Sequence, residues 1–316
     1  LRAVNGEGSL EAASTHPRAS GLTSYLGMGQ LRWIDQSEQP VLARPGDRFL
    51  LMSDGVYNAL SEQELCHALA LEAPKAAKAL GYGEDQQEYQ GLCETIKAAF
   101  LEEYFQADGT LKIPVTQTAC VLSLFFGLYP EGKRDVVLEA LKERIRARGN
   151  HLDTGFCGTP FLCRALSDNG ANDLAYALFL NEDFPSWLYE VNMGATTVWE
   201  RWNSILPDGS ISGTGMNSLN HYAYGSIVDW MYRNLCGLNP VEEAPGFKKA
   251  VIRPMPDARL SWAKMKLDSA AGTYQVAWKY VDGQLHGSVT VPFDCQAQLL
   301  LPDGTQRQLT AGTYVF

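Results

Sequence analysis

The sequence lacks the excess of positive charge and the long apolar runs that nucleic-acid-binding and membrane-spanning proteins need. Its 36 acidic residues outnumber its 26 basic ones, which gives a formal net charge of −10 at pH 7. An acidic surface repels phosphate backbones and anionic lipids, so we expect neither nucleic acid nor a membrane as a partner. No window approaches the roughly 18 continuous apolar residues of a membrane span. At 316 residues and 46% hydrophobic, the chain has the composition of a globular protein.

Cysteine is present but follows no pattern. The seven cysteines show neither C-x-x-C spacing nor a dense framework, and most lie in apolar segments. They favour small buried side chains in a reducing compartment over disulfides, although Cys157 and Cys163 are close enough in sequence to pair. Because the N-terminus also lacks a charged-then-apolar secretory signal, the sequence predicts a cytoplasmic protein. No Cys/His cluster suggests zinc, and we expect neither a metal nor another cofactor.

Apolar residues at three-to-four spacing predict a succession of helices joined by short loops. The predicted helices cover residues 84–105, 116–128, 133–148, 159–166, 171–180 and 216–235. Such a series favours either a helical bundle or a toroid of helical hairpins. From Val251 onward, alternating runs such as 274–280 and 286–291, separated by Asp-Gly turns, predict antiparallel strands. The fold class is therefore multidomain and mainly α, with a C-terminal antiparallel β-sandwich.

Two neighbouring segments combine the residue types of a sugar site. The first, 194–203, contains Glu200 among tryptophans, and the second, 217–225, contains His221 among tyrosines. A glycosidase uses ring faces to stack on the sugar, polar groups to bind its hydroxyls, and carboxylates beside the glycosidic bond. Aromatic neighbours tend to raise the pKa of the Glu200 carboxyl, whereas Arg201 would lower it, so the sequence leaves that pKa open.

Five motifs occur in a fixed order along residues 148–233. They are Arg-Gly-Asn-His-Leu-Asp-Thr-Gly-Phe-Cys-Gly-Thr-Pro at 148–160, Phe-Pro-Ser-Trp-Leu-Tyr at 184–189, Gly-Ala-Thr-Thr-Val-Trp-Glu at 194–200, Asn-His-Tyr-Ala-Tyr-Gly at 220–225 and Ser-Ile-Val-Asp-Trp-Met-Tyr-Arg at 226–233. Together they resemble the catalytic domain of bacterial α-L-rhamnosidases, glycoside hydrolase family 78. The resemblance spans about 76–316 and implies the later helices of a partial (α/α)₆ barrel, followed by the β-sandwich.

The resemblance implies an inverting hydrolase of terminal α-L-rhamnosides, with a rhamnose-containing glycoside or polysaccharide as substrate. It implies that Glu200, the glutamate of the Thr-Thr-x-Trp-Glu motif, is the general base, and that His221 lines the sugar pocket. It also suggests that Trp187, Trp199 and Trp202 bind substrate. We expect at least one of these tryptophans to be structural, because aromatic residues dominate protein cores.

Inversion also needs a general acid. A second carboxyl group must lie about 6.5–9.5 Å from the base, across the sugar, to protonate the leaving oxygen. The family draws it from an upstream Asp-Cys-Pro-x-Arg-type segment, which this sequence does not contain. Asp183 and Glu190 are nearby carboxylates, but the case for either as a substitute is weak, because acid and base must face each other across the ring. We therefore predict very low activity for this chain alone.

The N-terminal segment carries different motifs. Thr-His-Pro-Arg at 15–18, Leu-Thr-Ser-Tyr-Leu-Gly at 22–27 and Arg-Pro-Gly-Asp-Arg-Phe-Leu-Leu-Met-Ser-Asp-Gly at 44–55 resemble the latter part of a metal-dependent PP2C-type Ser/Thr phosphatase. In that family, the aspartate corresponding to Asp54 is a ligand of a two-metal site. One carboxylate cannot hold two hard cations, which need several oxygen ligands each, so we expect no working metal site there.

These resemblances predict three regions: an α+β phosphatase-like fragment at 1–74, the partial barrel at 75–248 and the β-sandwich at 249–316. Three functions stay open: a rhamnosidase, a phosphatase acting through Asp54, and a non-catalytic sugar-binding or chimeric protein. A start at Leu1 rather than methionine fits a fragment or a misassembled reading frame. In the non-catalytic case, Glu200 would form a salt bridge with Arg201, and His221 would be a packed or capping residue.

Overall fold

The computed structural model describes residue 74, residues 77–78, 80–213, 215–241, 244 and 246–316. The chain divides into two compact units, Leu1–Leu92 and Cys93–Phe316. The division falls within the first helix described below. Apart from residue 74, the predicted phosphatase-like segment 1–74 lies outside the described residues, and so does its candidate ligand Asp54.

Helices occupy most of the described chain up to Leu235. They are α1 (Gly83–Tyr104), α2 (Gln117–Phe125), α3 (Arg134–Ala147), α4 (Gly155–Asp168), α5 (Asn172–Phe179), α6 (Trp187–Asn192), a 3-10 helix (Ala223–Ser226), α7 (Ile227–Trp230) and a π-helix (Met231–Leu235). α2 packs against α3 and α4, and α4 packs against α5, the 3-10 helix and α7. α2 and α4 therefore form the centre of this helical part, and each also packs against the helix that follows it.

Side-chain caps fix two of the helix starts. The Thr116 hydroxyl accepts the N–H of Ala119 before α2, and the Ser186 hydroxyl accepts the N–H of Tyr189 before α6. Such bonds satisfy N–H groups that the first turn leaves without a partner. The predicted helices between residues 84 and 180 are confirmed, with bounds within about one turn of those observed.

The predicted helix 216–235 is wrong in its first part. Residues 216–222 form a bent loop, and helical structure begins only at Ala223. Met216 has a positive φ of 47°, and the Ser218 hydroxyl accepts the N–H of Asn220. A short polar side chain that bonds its own backbone competes with the helix, and positive φ is not compatible with one. The loop carries His221 as a result.

The C-terminal part forms two four-stranded sheets. Their strands are β1 (Leu238–Pro240), β2 (Lys249–Ile252), β3 (Trp262–Ser269), β4 (Gly272–Val281), β5 (Gln284–Val291), β6 (Gln296–Leu300), β7 (Gln306–Leu309) and β8 (Gly312–Val315). The sheet orders are β1-β2-β6-β7 and β3-β4-β5-β8. The antiparallel prediction is correct for most pairs and wrong for β2 and β6, which are parallel with Lys249 opposite Gln296. The chain returns to the first sheet only after it has built β3, β4 and β5 in the second.

The sheets contribute to an apolar core, and burial alternates along the longer strands β3 and β4. Tyr274, Val276 and Trp278 alternate with more exposed residues on β4, as expected for a strand with one buried face. The indole N–H of Trp278 donates to the carbonyl of Leu235 at 2.9 Å, which links this core to the end of the π-helix. Asp282 and Gly283, with φ of 51° and 76°, form the predicted turn between β4 and β5.

Candidate active site

Backbone hydrogen bonds join the two segments that the sequence singled out. The N–H of Glu200 donates to the carbonyl of Ser218 at 2.9 Å, and the N–H of His221 donates to the carbonyl of Val198 at 2.8 Å. The segment before Glu200 and the loop before the 3-10 helix therefore run side by side. This pairing brings Glu200 and His221, distant in sequence, to one strip of the surface.

The Glu200 carboxylate is held by the same loop. Its side chain is only 8% exposed, and its Oε2 accepts the N–H of Ser218 at 2.7 Å. The Arg201 guanidinium turns elsewhere and donates to the carbonyl of Gly215. Between these two described side chains there is no ion pair, so the salt bridge that the sequence left open does not form. Within the described part of the chain, the Ser218 backbone holds the Glu200 carboxylate and no cationic side chain pairs with it.

Glu190 lies on the other side of the Glu200 backbone. Its side chain is 4% exposed, and its Oε2 accepts the N–H of Trp199, the residue before Glu200, at 3.2 Å. Its Oε1 has no hydrogen-bond partner among the described residues. Burial raises the pKa of the Glu190 carboxyl to about 7, and the bond from Trp199 only partly opposes that shift. Near neutral pH this carboxyl is therefore about half protonated.

Because the pKa of Glu190 is raised, the free energy of unfolding should fall as pH rises through a defined window. Because the folded pKa of about 7 exceeds the ordinary value of 4.5, the contribution is complete below pH 4.5 and is lost as pH rises to 7. After allowance for solvent screening, we expect a loss of about 1–2 kcal/mol. Glu190→Gln, which cannot ionise, should escape it. Urea unfolding at pH 5 and pH 7.5 should show the variant gaining that amount relative to wild type, while exposed Glu182→Gln tracks wild type.

The three candidate tryptophans are all buried, and two of them pack around Tyr224. The indole N–H of Trp187 donates to the Tyr224 carbonyl at 2.9 Å. The Trp202 ring stacks on the Tyr224 ring with centroids 3.9 Å apart and planes at 6°, and it meets Trp187 edge-on at 5.4 Å. Trp199, 2% exposed, is the most buried of the three. Substrate contact by these tryptophans stays a prediction.

Tyr224 lies within the Asn-His-Tyr-Ala-Tyr-Gly motif, but no local pattern singled it out as a site residue. Burial, followed by the negative charges of Glu190 and Glu200, raises the pKa of its phenol to about 12. Tyr224 is therefore an uncharged side chain that senses both carboxylates. It links the Trp187 and Trp202 rings to the two acidic groups.

His221 is fixed in orientation by two contacts. Its ring stacks on Phe156 at 5.2 Å with planes at 11°, and its Nδ1 accepts the N–H of Ala223 at 3.2 Å. A backbone N–H can only donate, so Nδ1 carries no proton and, in the neutral imidazole, the proton is on Nε2. His221 therefore presents a hydrogen-bond donor of the kind that binds a sugar hydroxyl. Phe156, which the sequence did not single out, belongs to the 148–160 motif.

A cavity of about 530 Å³ lies beside the stacked Trp202 and Tyr224 rings. Its walls include Arg148, Asp153, Phe184, Trp202 and Tyr224. The Arg148 guanidinium forms an ion pair with the Asp153 carboxylate at 2.7 Å. Polar groups beside stacked rings are typical of pockets that bind small polar molecules, and the cavity is large enough for a monosaccharide.

The candidate substitutes for the general acid differ in position. Glu190 bonds to the backbone next to Glu200, as described above, while Asp183 is exposed in the loop before α6, with its backbone N–H bonded to the Asn181 side chain. No group of three or more His, Cys, Asp or Glu side chains in the described part of the chain could hold a metal ion. Within that part, no helix is both long and apolar enough to cross a membrane.

Comparison with known protein families decides the family. The bacterial alpha-L-rhamnosidase 6 hairpin glycosidase domain matches residues 62–235, and the bacterial alpha-L-rhamnosidase C-terminal domain matches residues 237–316. The chain belongs to the bacterial α-L-rhamnosidase family. The helices named above fall within the match to the six-hairpin glycosidase domain, and the two sheets fall within the match to the C-terminal domain. The first match begins inside 1–74, where the phosphatase resemblance stays a prediction.

Individual rhamnosidases are similar to this chain over most of its length. An α-L-rhamnosidase of Alteromonas sp. (strain LOR) is 38% identical over 250 residues, 79% of this chain and 27% of the relative. One from Streptomyces avermitilis is 37% identical over 291 residues, 90% of this chain and 28% of the relative. The chain therefore spans little more than a quarter of the length of these rhamnosidases.

Solved rhamnosidase structures share the fold. The Streptomyces avermitilis α-L-rhamnosidase complexed with L-rhamnose has a TM-score of 0.74 and 34% sequence identity, over 80% of this chain and 26% of that one. The native α-L-rhamnosidase from Aspergillus terreus has a TM-score of 0.75 and 31% identity, over 81% of this chain and 30% of that one.

Proposed function

We propose that this chain carries the general-base side of an inverting α-L-rhamnosidase active site, with Glu200 as the base. One observation carries the proposal: in a chain of the rhamnosidase family, Glu200 is a nearly buried carboxylate held by the Ser218 backbone, and no side chain among the described residues forms an ion pair with it. The proposed substrate is a terminal α-L-rhamnoside in a glycoside or polysaccharide. The helical part would supply the later hairpins of an (α/α)₆ barrel.

In the proposed reaction, Glu200 takes a proton from water as that water attacks the anomeric carbon. The Ser218 N–H holds the carboxylate and the Ser218 carbonyl holds the Glu200 N–H, so little reorganisation is needed when the proton moves. His221 would donate from Nε2 to a sugar hydroxyl, and the face of Phe156 would keep its ring in place. The stacked Trp202 and Tyr224 rings would form an apolar wall of the sugar pocket.

The proposed chemistry is incomplete on the leaving-group side. The sequence contains no Asp-Cys-Pro-x-Arg-type segment to protonate the departing oxygen. Rhamnosides with a basic leaving group should therefore react very slowly with this chain by itself. A leaving group that departs as a stable anion needs no proton, so its release should depend on the base alone.

This difference gives the test of the proposal. We expect the 316-residue chain to hydrolyse 2,4-dinitrophenyl α-L-rhamnopyranoside at least about 100-fold faster, relative to the uncatalysed rate, than methyl α-L-rhamnopyranoside. Proton NMR of the dinitrophenyl reaction should show β-L-rhamnose as the first product, because inversion reverses the anomeric configuration. An α-configured first product would contradict inversion. Binding of L-rhamnose without turnover of either substrate would identify a non-catalytic sugar-binding chain.

A further inference from the structure

Glu190 makes two hydrogen bonds that hold the chain leading to Glu200. Its own carbonyl accepts the N–H of Ala195 at 3.0 Å, and its side chain accepts the N–H of Trp199 at 3.2 Å. Both ends of the short segment between α6 and Glu200 are therefore attached to this one helical residue. A carboxyl that is 4% exposed has little freedom to release that segment.

Ser218 holds Glu200 from the opposite side. It donates its N–H to the Glu200 Oε2 at 2.7 Å and accepts the N–H of Glu200 at 2.9 Å. The Glu200 side chain is therefore bound on one side, and the peptide that precedes Glu200 is bound on the other. Without the Glu190 bond, the peptide between Val198 and Trp199 would be held only through its carbonyl, which accepts the N–H of His221 at 2.8 Å, and its N–H would be left without this partner.

We propose that Glu190 is a positioning residue for the base Glu200: it fixes the Trp199 peptide so that the Glu200 carboxylate faces the attacking water. This inference rests on the function proposed above for Glu200. A displacement of about 1 Å from the reactive geometry can cost about 100-fold in rate, so one such hydrogen bond is enough to matter.

The surroundings of Glu190 suit a neutral carboxyl in this role. Its neighbour Tyr224 is uncharged near neutral pH, because burial and the charges of Glu190 and Glu200 raise the pKa of the phenol to about 12. A protonated Glu190 still accepts from Trp199 through Oε2 and leaves Oε1 to carry the proton. The protonated form therefore holds the backbone without placing a second negative charge beside the base.

Two substitutions separate positioning from simple packing. Glu190→Gln keeps the side-chain oxygen that accepts from Trp199, and Glu190→Leu removes it at similar size. With 2,4-dinitrophenyl α-L-rhamnopyranoside, we expect Glu190→Leu to lower kcat about 10–100-fold with KM changed by less than about twofold. Glu190→Gln should keep kcat within about threefold of wild type. A purely packing role predicts the reverse order, because leucine fills an apolar site better than glutamine.

A second readout does not depend on turnover. The Ser218 amide donates to the Glu200 carboxylate, so its ¹H–¹⁵N signal reports the position of that carboxylate. We expect the Ser218 signal to shift in Glu190→Leu and to stay in place in Glu190→Gln. The Trp199 amide should titrate with a midpoint near pH 7 in wild type and be flat in Glu190→Gln.

The two readouts keep this inference separate from the function on which it rests. An inactive wild type whose Ser218 signal still moves in Glu190→Leu would reject the rhamnosidase proposal and keep the positioning contact. If Glu190→Leu leaves both kcat and the Ser218 signal as in wild type, Glu190 does not position Glu200. Should Glu190→Leu fail to fold, a loss of kcat of more than about tenfold in Glu190→Gln overturns the inference, because glutamine keeps the oxygen that accepts from Trp199.

Discussion

Glu200→Gln is expected to lower kcat for 2,4-dinitrophenyl α-L-rhamnopyranoside by about 1,000-fold, within the range that general-base catalysis contributes. Glutamine keeps the size of the side chain and an oxygen that can accept the Ser218 N–H, so the loop should keep its place. It cannot take a proton from water. KM should change little, because the loss falls on the transition state.

Glu182→Gln is the matched control for this experiment. Glu182 is an exposed glutamate in the loop before α6, and the same substitution there should leave kcat within about twofold of wild type. Stopped-flow release of dinitrophenolate, with buffer-catalysed release subtracted, measures both variants. Retention of more than about a tenth of wild-type kcat by Glu200→Gln would show that another group is the base.

Gly237→Ala is expected to cause the largest loss of stability, about 3–5 kcal/mol or failure to fold. Gly237 lies between the π-helix and β1 at a positive φ of 84°. A Cβ at this position would lie 2.1 Å from the carbonyl carbon of Arg253 and 2.4 Å from its oxygen. Those are backbone atoms, so a change of side-chain rotamer cannot relieve the clash. The Arg253 N–H also donates to the Gly237 carbonyl at 2.8 Å, which keeps the two backbone segments close together.

Gly209→Ala provides the comparison. Gly209 has a similar φ of 82°, but a Cβ there would meet no atom within 4 Å. Its substitution should therefore carry only the cost of the left-handed backbone, about 1–2 kcal/mol. Urea unfolding followed by tryptophan fluorescence compares the two variants with wild type. Equal losses would mean that the close approach at Arg253 relaxes easily and that backbone conformation alone sets the cost.

Local patterns in the sequence were enough to predict the long helices and the β4–β5 turn. Helix periodicity and caps such as Thr116 act within a few residues, and Asp282-Gly283 fits one turn geometry. The short α6 was missed because its six residues give too few repeats for a period. In the 216–222 loop the sequence is compatible with a helix, and contacts of Ser218 with Glu200 decide otherwise.

In the candidate site, too, local motifs could be predicted from the sequence and contacts between distant segments could not. Glu200 and His221 stood out by motif, whereas the hydrogen bond from Trp199 to Glu190 depends on how α6 meets the next loop, which no local pattern encodes. The sequence also could not predict that Glu200 and Arg201 form no ion pair, because the Arg201 guanidinium donates to the carbonyl of Gly215 in a later segment. The parallel pairing of β2 with β6 depends on the path between two sheets rather than on either strand.

Three contacts hold Tyr224 in place: its carbonyl accepts the Trp187 indole N–H, its ring stacks on the Trp202 ring, and its ring centroid lies 5.3 Å from that of Phe156. None of these contacts uses its hydroxyl. Phenylalanine could therefore occupy the position with every one of these contacts kept. The ring and the backbone carbonyl therefore carry these contacts, and the hydroxyl takes part in none of them. A change confined to that hydroxyl would leave this wall of the cavity as it is.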